Sequence, residues 1–169
     1  NKGDIMAGQV QYKVSGAIAW LTLDQQDKLN AMSLEMWQGL ARSVAEAEAD
    51  KAVRLIVVAG AGEKAFCAGA DISQFGENRT GAEAVEAYDR AVNDASFALA
   101  HAAKPTVAAI NGICFGGGMG LAMSCDLRIA SDVSRFRIPA ARLGIGYRYD
   151  NVRMLTQRLG FGATAELLF

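Results

Sequence analysis

The sequence has little of what several common functions require. Its 169 residues carry 17 basic and 18 acidic side chains, so the net charge of −1 provides no broad basic field for a nucleic acid or an anionic membrane. The longest apolar stretches, Leu55 to Ala61 and Thr106 to Ile110, are too short to span a bilayer. We therefore expect no nucleic-acid partner and no membrane partner, and we expect any anionic ligand to be held locally.

Histidine and cysteine are also scarce. His101 is the single histidine and no G-x-S-x-G motif is present, which argues against a catalytic triad. The cysteines Cys67, Cys114 and Cys125 are odd in number and form no C-x-x-C pair, and no cluster of side chains has metal-ligand spacing. These features predict neither disulfides nor a metal site. They favour a reducing compartment, for which we take the cytoplasm.

Strand and helix signals alternate from the start of the chain. Val10 to Val14 and Ala17 to Leu23 predict a β-hairpin. Ser33 is expected to cap a helix that ends near Asp50. The β-branched run from Leu55 to Ala59 then predicts a buried strand, reached by a parallel crossover.

The second half of the chain repeats this alternation. Thr80 and Glu83 form a capping box for a helix that runs toward His101, and Thr106 to Ile110 predicts another buried strand. The remaining predicted elements are a helix from about Gly117 to Cys125, extended segments at Leu127 to Ala130 and Arg135 to Ile138, and a helix through Val152, Leu155 and Leu159. With 51% apolar residues, we predict one α/β domain over residues 1–169, built on βαβ units.

Two loops rich in small residues each follow a predicted buried strand. They are Lys64 to Ile72, with the sequence KAFCAGADI, and Asn111 to Gly120, with the sequence NGICFGGGMG. Small residues allow the backbone to approach a ligand and direct N–H groups at it, and the second loop opens a helix whose positive end favours negative charge. Tight packing of helix against strand explains either loop alone equally well.

A third glycine pattern, Gly60 to Ala65, matches the loose G-x-G-x-x-A motif of dinucleotide-binding proteins. The residues that follow it, from Phe66 to Asp71, contain no run of helix formers to supply the helix N-terminus that a pyrophosphate requires. No Gly-Lys-Ser/Thr sequence is present for a P-loop either. We therefore expect no nicotinamide cofactor.

Taken together, the two loops carry a family resemblance. Ala68 to Ile72 (AGADI), then Asn111 to Gly118 (NGICFGGG), then Cys125-Asp126 resemble the enoyl-CoA hydratase/isomerase family, also called crotonases. Asp27 to Met32 (DKLNAM) is similar to the family's loop at the adenine and pantetheine end of coenzyme A. The resemblance implies a crotonase-like spiral of repeated ββα and βαβ units that binds acyl-CoA thioesters.

The resemblance also implies roles for particular residues. The N–H groups of Ala70 and Gly117 would be the two oxyanion donors to the thioester carbonyl. Lys28 would offset phosphate charge on coenzyme A, although a lone surface lysine is more often simply solvated. The other substrate contacts implied by the motifs are Ala31, Ala68, Asp71 and Ile72.

The family's usual assembly and cofactor use give further expectations. We expect no cofactor beyond the coenzyme A carried by the substrate. We also expect a homotrimer or hexamer, formed through a C-terminal helical region. That region is expected to be absent from these 169 residues, since Ala165 to Phe169 are helical in character and contain no stop signal.

The departures from the family pattern concern acid–base chemistry. Members that hydrate enoyl thioesters use two glutamates, and the matching positions here are Gly120 and Ala140. Neither residue can transfer a proton, so the water-activating pair that hydration requires is missing. The resemblance therefore implies an enzyme, a lyase or isomerase, that binds an acyl-CoA thioester and stabilises its enolate. Two alternatives stay open: an acyl-CoA decarboxylase of the methylmalonyl-CoA type and a non-catalytic acyl-CoA-binding protein.

Other candidates lie in the segment that resembles the family's loop over the reacting carbons. Tyr147 matches a tyrosine of the methylmalonyl-CoA decarboxylase branch, although simple packing explains it equally well. Arg148 is a candidate to bind an anionic acyl group. Asp150 is a candidate general base, but we favour the alternative that it caps the following helix and pairs with Arg153.

Overall fold

The computed structural model describes residues 8–71, 73 and 82–169. Strands and helices alternate as the sequence predicts. In chain order they are β1 (Gln9–Ser15), β2 (Ile18–Asp24), α1 (Leu34–Ala49), β3 (Leu55–Gly60), β4 (Ala65–Cys67), α2 (Ala82–Ala100), β5 (Thr106–Ile110), β6 (Ile113–Phe115), α3 (Gly117–Ser124), β7 (Leu127–Ala130), β8 (Arg135–Arg137) and α4 (Tyr149–Leu168).

The predicted hairpin and the first helix are confirmed. Strands β1 and β2 pair antiparallel around a turn in which Gly16 has a φ of 60°, a left-handed conformation that glycine adopts without strain. Alternate residues of β2 are buried, as expected for a strand with one face on the core. The Ser33 hydroxyl accepts a hydrogen bond of 3.1 Å from the Met36 N–H, and it caps α1 as predicted.

The strands form two sheets. The larger sheet has the order β1-β2-β3-β5-β7, and every pair in it except β1–β2 is parallel. The smaller sheet has the order β4-β6-β8 and is parallel throughout. Three times in succession, one strand enters the larger sheet, the next enters the smaller sheet, and a helix follows. This arrangement confirms the predicted spiral of ββα units.

The smaller sheet brings the two glycine-rich loops together. Strands β4 and β6 are neighbours, with Cys67 opposite Cys114, and each loop continues from the carboxyl end of its strand. Because the carboxyl ends of parallel strands meet at one edge, the segments after Cys67 and Phe115 lie side by side. Both strands are three residues long and fall inside segments that the sequence analysis treated as loops.

Several predictions at the helix ends need correction or fall outside the described residues. Helix α4 is preceded by Arg148, whose side chain makes no capping hydrogen bond, and Asp150 lies in its first turn. The prediction that Asp150 caps the helix is therefore wrong, and among the described residues no ion pair joins it to Arg153. Gly160 kinks α4, with a φ of 80° and a ψ of 167°. Thr80 of the predicted capping box lies outside the described residues.

None of the helices within the described ranges is both long enough and apolar enough to cross a membrane. The core is formed by buried residues of all four helices and of most strands. Its largest fully buried side chains include Trp37 of α1, Phe66 of β4, Leu99 of α2 and Leu121 of α3. Helices α1 and α3 thus share one core with the strand that precedes the first glycine-rich loop.

Candidate functional site

The two glycine-rich loops are in contact through their backbones. Gly69 has a φ of 111° and Gly116 a φ of 50°, a region that residues with a Cβ rarely adopt. A Cβ added to Gly69 would lie 3.4 Å from the Phe115 carbonyl oxygen and 3.5 Å from the Gly117 nitrogen. These are ordinary contact distances, so the left-handed φ, and not a lack of space, is what favours glycine at position 69.

The backbone around Ala70 is held by one residue of the segment before α1. The Met32 N–H donates to the Gly69 carbonyl at 2.7 Å, and the Asp71 N–H donates to the Met32 carbonyl at 2.9 Å. This is a parallel bridge between Met32 and Ala70, so the N–H of Ala70 itself points away from Met32.

Two N–H groups next to the contact between the loops have no backbone hydrogen-bond acceptor among the described residues. Within the described part of the chain, neither the Ala70 N–H nor the Gly117 N–H donates to a backbone carbonyl. Gly117 is the first residue of α3, where an N–H has no partner inside the helix and the helix dipole is positive. Two such donors on adjacent backbones suit an oxygen atom that carries or gains negative charge.

Asp71 holds the end of the first loop in place through hydrogen bonds of its buried side chain. Its side chain is 4% exposed and accepts hydrogen bonds from Lys28 Nζ at 2.8 Å, Gln25 Nε2 at 2.9 Å and Ser73 Oγ at 2.6 Å. Burial works against ionisation, but the hydrogen bonds from Lys28, Ser73 and Gln25 outweigh it and lower the pKa of Asp71 to about 2. Asp71 and Lys28 thus have partners inside the protein, and the contacts to substrate predicted for both residues stay predictions.

Asn30 joins the segment before α1 to the rest of the site. It is 1% exposed and adopts a φ of 56°, next to Leu29 with a φ of 55°. Its amide donates to the carbonyl groups of Ala61 at 2.9 Å and Ala65 at 2.7 Å, and its oxygen accepts from the Gln25 N–H at 3.0 Å. The sequence analysis did not single out Asn30. The available signal was that asparagine tolerates the left-handed conformation better than most residues.

The other predicted substrate contacts lie in the same two segments. Ala31 is 8% exposed. Ala68 is half-buried, and its N–H donates to the Leu29 carbonyl at 3.0 Å. Ile72 lies outside the described residues. Their contacts to a ligand therefore stay predictions.

A pocket of about 490 Å³ opens beside α3. Four of the candidate residues from the sequence line it, namely Gly117, Tyr147, Arg148 and Asp150, whereas Ala70 does not. Gly120 borders it, and no heavy atom lies within 4 Å of a Cβ added there. Ala140 is instead 7% exposed and belongs to the hydrophobic core. The residues that line the pocket are Trp37, Asp89, Val92, Asn93, Asp94, Ser96, Phe97, Ala100, Gly117, Gly120, Leu121, Ser124, Tyr147, Arg148, Asp150, Asn151 and Met154.

The three candidates from the segment before α4 differ in their surroundings. Tyr147 is half-buried against the core, and burial raises the pKa of its phenol to about 12, so the hydroxyl is neutral near pH 7. Arg148 is exposed and donates from Nη1 to Asn93 Oδ1 of α2 at 3.3 Å. Asp150 is exposed at the pocket border. The pocket thus places a phenol and a guanidinium beside the N-terminus of α3.

A larger cavity, of about 740 Å³, lies elsewhere. It is bordered by the end of α4 and by residues of β7 and β8, including Phe136, Leu167 and Phe169. Neither Ala70 nor Gly117 lines it. We assign the site to the smaller pocket because the Gly117 N–H group and polar side chains border it. The volume of a cavity does not by itself indicate a binding or catalytic function.

Comparison with known proteins agrees with this geometry. The profile of the enoyl-CoA hydratase/isomerase family matches residues 13–169. The chain belongs to this family. The resemblance found in the sequence is thereby confirmed, and the match to the family covers both glycine-rich loops and the segment that contains Lys28.

Individual family members are similar over most of the chain. A short-chain-enoyl-CoA hydratase from Clostridium acetobutylicum is 36% identical over 156 residues, which cover 91% of this chain and 58% of that protein. A crotonyl-CoA hydratase from Syntrophomonas wolfei is 35% identical over 153 residues, covering 90% and 58%. The crystal structure of an enoyl-CoA hydratase/isomerase family protein from Hyphomonas neptunium superposes with a TM-score of 0.88 at 36% identity and covers 95% and 61%. The chain therefore spans about three-fifths of the length of these relatives.

Proposed function

We propose that the protein binds an acyl-CoA thioester with its carbonyl oxygen between the N–H groups of Ala70 and Gly117. The observation that carries this proposal is the pair of open backbone donors at the contact between the two loops. When an enolate forms, the thioester oxygen gains negative charge, and one preorganised donor typically contributes about 3 to 4 kcal/mol. The N-terminus of α3 adds a favourable potential at the same oxygen.

The proposal separates enolate stabilisation from hydration. By their positions in the family motifs, Gly120 and Ala140 correspond to the two glutamates of hydratases, and neither can carry a proton. Hydration of an enoyl thioester requires a base to activate water and an acid to protonate carbon. We therefore propose that the protein is an enzyme of enolate chemistry that hydrates enoyl-CoA poorly, although two of the relatives named above are hydratases.

Decarboxylation of a malonyl-type thioester is the second candidate, and the position of Arg148 favours it. The guanidinium lies at the same pocket as Gly117 and Tyr147, where it can bind a carboxylate on the acyl group. In this reaction the bond between the α-carbon and the carboxylate breaks, its electron pair enters the enolate, and CO₂ leaves. The enolate carbon then takes a proton from the neutral Tyr147 phenol or from water. No general base is needed, which suits a pocket without the two glutamates.

A protein that only binds acyl-CoA is the remaining alternative. Such a protein has no need to keep a phenol beside the acyl group. Tyr147 is half-buried in the pocket, which supports an enzyme, whereas Asp150 is exposed and supports neither reading. We further propose, from the family relationship alone, that the whole protein forms a trimer or hexamer and works in the cytoplasm without a cofactor other than substrate-borne coenzyme A.

The test follows the enoyl absorbance of crotonyl-CoA with the purified protein and with the double variant Gly120→Glu/Ala140→Glu. We expect slow or no loss of absorbance with the unmodified protein and a gain in the double variant, because the variant restores an acid and a base. Gly162→Glu is the matched control for the Gly120→Glu single variant, since each adds one negative charge at a helical glycine, and the exposed position in α4 should gain nothing. Because Ala140 is buried, the Gly120→Glu single variant and circular dichroism accompany the assay.

Three outcomes separate the candidates. Fast hydration by the unmodified protein would overturn the argument from Gly120 and Ala140. Release of CO₂ from malonyl-CoA or methylmalonyl-CoA, reduced in Arg148→Ala, would establish the decarboxylase. Acyl-CoA binding without turnover of any of these thioesters would leave the binding protein as the correct description.

A further inference from the structure

A chain of hydrogen bonds runs from α1 through α2 to the backbone that holds Ala70. The indole Nε1 of Trp37 donates to the Tyr88 hydroxyl at 2.8 Å, and the Tyr88 hydroxyl donates to the Met32 carbonyl at 3.0 Å. The same Met32 carbonyl accepts from the Asp71 N–H at 2.9 Å. Tyr88 is therefore one bond away from the bridge that fixes Ala70.

The other end of this chain touches the second loop. Trp37 is 1% exposed, and its Cζ2 atom lies 3.6 Å from a Cβ added to Gly117. The indole therefore leaves room for little more than a Cβ between itself and Gly117, and it limits how far the start of α3 can move toward α1. Trp37 thus borders Gly117 on the side of α1, and through Tyr88 it supports Ala70 by hydrogen bonding.

The protonation state of Tyr88 suits this role. Burial raises the pKa of its phenol to about 12, and the nearby Cys67, Asp71 and Asp89 also raise it, against the lowering effect of the Trp37 hydrogen bond. The hydroxyl therefore keeps its proton well above neutral pH and remains a donor to the Met32 carbonyl.

We propose that Tyr88 and Trp37 are positioning residues that hold the N–H groups of Ala70 and Gly117 at a fixed separation. This inference rests on the proposed function, since it assigns to both residues the preorganisation of the oxyanion donors. Neither side chain needs to touch the reacting atoms. Preorganised donors lose much of their effect when they are displaced by a fraction of an ångström, because the reaction then has to reorganise them.

The experiment measures the carbonyl stretching frequency of acetyl-CoA, labelled with ¹³C at the thioester carbon, free and bound to the purified protein. Two hydrogen bonds to the carbonyl oxygen weaken the C=O bond and lower the frequency on binding. Tyr88→Phe removes one hydroxyl at the bridge, and we expect it to lose up to about half of the shift, as for one of two equal donors. The dissociation constant of unacylated coenzyme A should change less than about twofold, because that ligand has no thioester carbonyl.

Tyr12→Phe is the matched control. The Tyr12 hydroxyl is buried in β1 and has no hydrogen-bond partner within the described part of the chain, so its removal should leave the shift unchanged. Trp37→Phe is the second variant, compared with Trp20→Phe of β2, and it is expected to lose part of the shift through both loops. If Tyr88→Phe does not fold, as judged by circular dichroism, Trp37→Phe decides the question by the same criterion.

The outcomes distinguish the inference from the function on which it rests. A lowered frequency in the unmodified protein whose shift is reduced in Tyr88→Phe or Trp37→Phe, but kept in both controls, supports the inference. A lowered frequency kept in both test variants overturns the inference and leaves the proposed function standing. No lowering in the unmodified protein, with acetyl-CoA bound, overturns both.

Discussion

Individual side chains around the first loop make hydrogen bonds that hold its backbone, and their positions in the sequence do not reveal these bonds. Asp71 was predicted as a substrate contact, and the structure shows its carboxylate bonded to Lys28, Gln25 and Ser73. The sequence places Lys28 and Asp71 far apart along the chain, and periodicity gives no information on such a pair. Asn30 and Tyr88 were missed for the same reason, since each acts through partners that only the fold brings near.

The two candidate backbone donors were easier to locate from the sequence, although their roles stay predictions. Ala70 and Gly117 were assigned from motifs because an N–H group needs no particular side chain, and small residues mark where backbones approach each other. Tyr147 was left undecided between pocket and packing, and the structure shows that it does both. Asp150 was expected to cap α4, which failed because the helix begins at Tyr149 and places Asp150 in the first turn.

Asp71 gives a prediction about pH. Its pKa in the folded state is about 2, below the ordinary value of 3.8, so the ionised carboxylate stabilises the folded state above about pH 4 and that contribution is lost as the pH falls toward 2. We expect Asp71→Asn to lower the free energy of unfolding at pH 7 by about 2 kcal/mol, and we expect its difference from the unmodified protein to shrink between about pH 5 and pH 2. Urea denaturation across this pH range measures both.

Asp132→Asn is the control for this experiment, because Asp132 is exposed in the turn before β8. Its effect on the unfolding free energy should be small at every pH in the series. A constant difference between Asp71→Asn and the unmodified protein from pH 7 to pH 2 would contradict the assigned role of the Asp71 carboxylate.

At the scale of elements, the long segments were predictable, whereas the short strands β4 and β6 were not. Helix α1 and strands β2, β3 and β5 have clear periodicity or continuous apolar runs, and the structure confirms them. Strands β4 and β6 have three residues each, which is too short for an alternation to be seen. They form because the parallel partner strand supplies the pairing, and that partner is distant in sequence.

Helix α3 provides a prediction in which one substitution has opposite effects at two positions. A Cβ at Gly118 would overlap the Cys67 carbonyl oxygen and lie 2.9 Å from the Cys67 Cβ, whereas a Cβ at Gly120 meets nothing within 4 Å. We expect Gly118→Ala to destabilise the protein by about 1 to 3 kcal/mol or more, because α3 must move away from β4. Gly120→Ala should stabilise it by roughly 0.5 to 1 kcal/mol, as for a helical glycine without steric conflict.

Chemical denaturation of the two variants, side by side, measures this difference. Both variants replace a glycine of α3 by alanine, and the two positions are two residues apart. Each variant therefore serves as the control for the other. Equal unfolding free energies for Gly118→Ala and Gly120→Ala would show that α3 does not pack against β4 as closely as described.

At the scale of the whole molecule, the repeated ββα unit explains where the site lies. Each unit contributes one strand to each sheet. The loops that follow β4 and β6 therefore begin at the same edge of the smaller sheet. The sequence shows no repeat, because different side chains fill equivalent positions in successive units. The fold class was therefore predicted from the alternation of elements and from family motifs, while the division of strands between two sheets became visible only in three dimensions.

The chain spans about three-fifths of its relatives' length, and every residue of the proposed site lies within the chain. The two donors, the Asp71 anchor and the Trp37–Tyr88 support all lie between Gln25 and α3. The pocket beside α3 is also lined by Tyr147, Arg148, Asp150 and Asn151. The assignment of residues 1–169 to one domain and the expected trimer stay predictions about the whole protein.

The most direct test of the central claim observes the two donors themselves. Backbone amide signals of Ala70 and Gly117, recorded by NMR with ¹⁵N-labelled protein, are followed while acetyl-CoA is added and, separately, while unacylated coenzyme A is added. The account predicts that both amide protons shift downfield with acetyl-CoA and stay nearly unchanged with coenzyme A, because only the thioester carbonyl accepts their hydrogen bonds. Acetyl-CoA binding that shifts other amides but leaves those of Ala70 and Gly117 unmoved would contradict it.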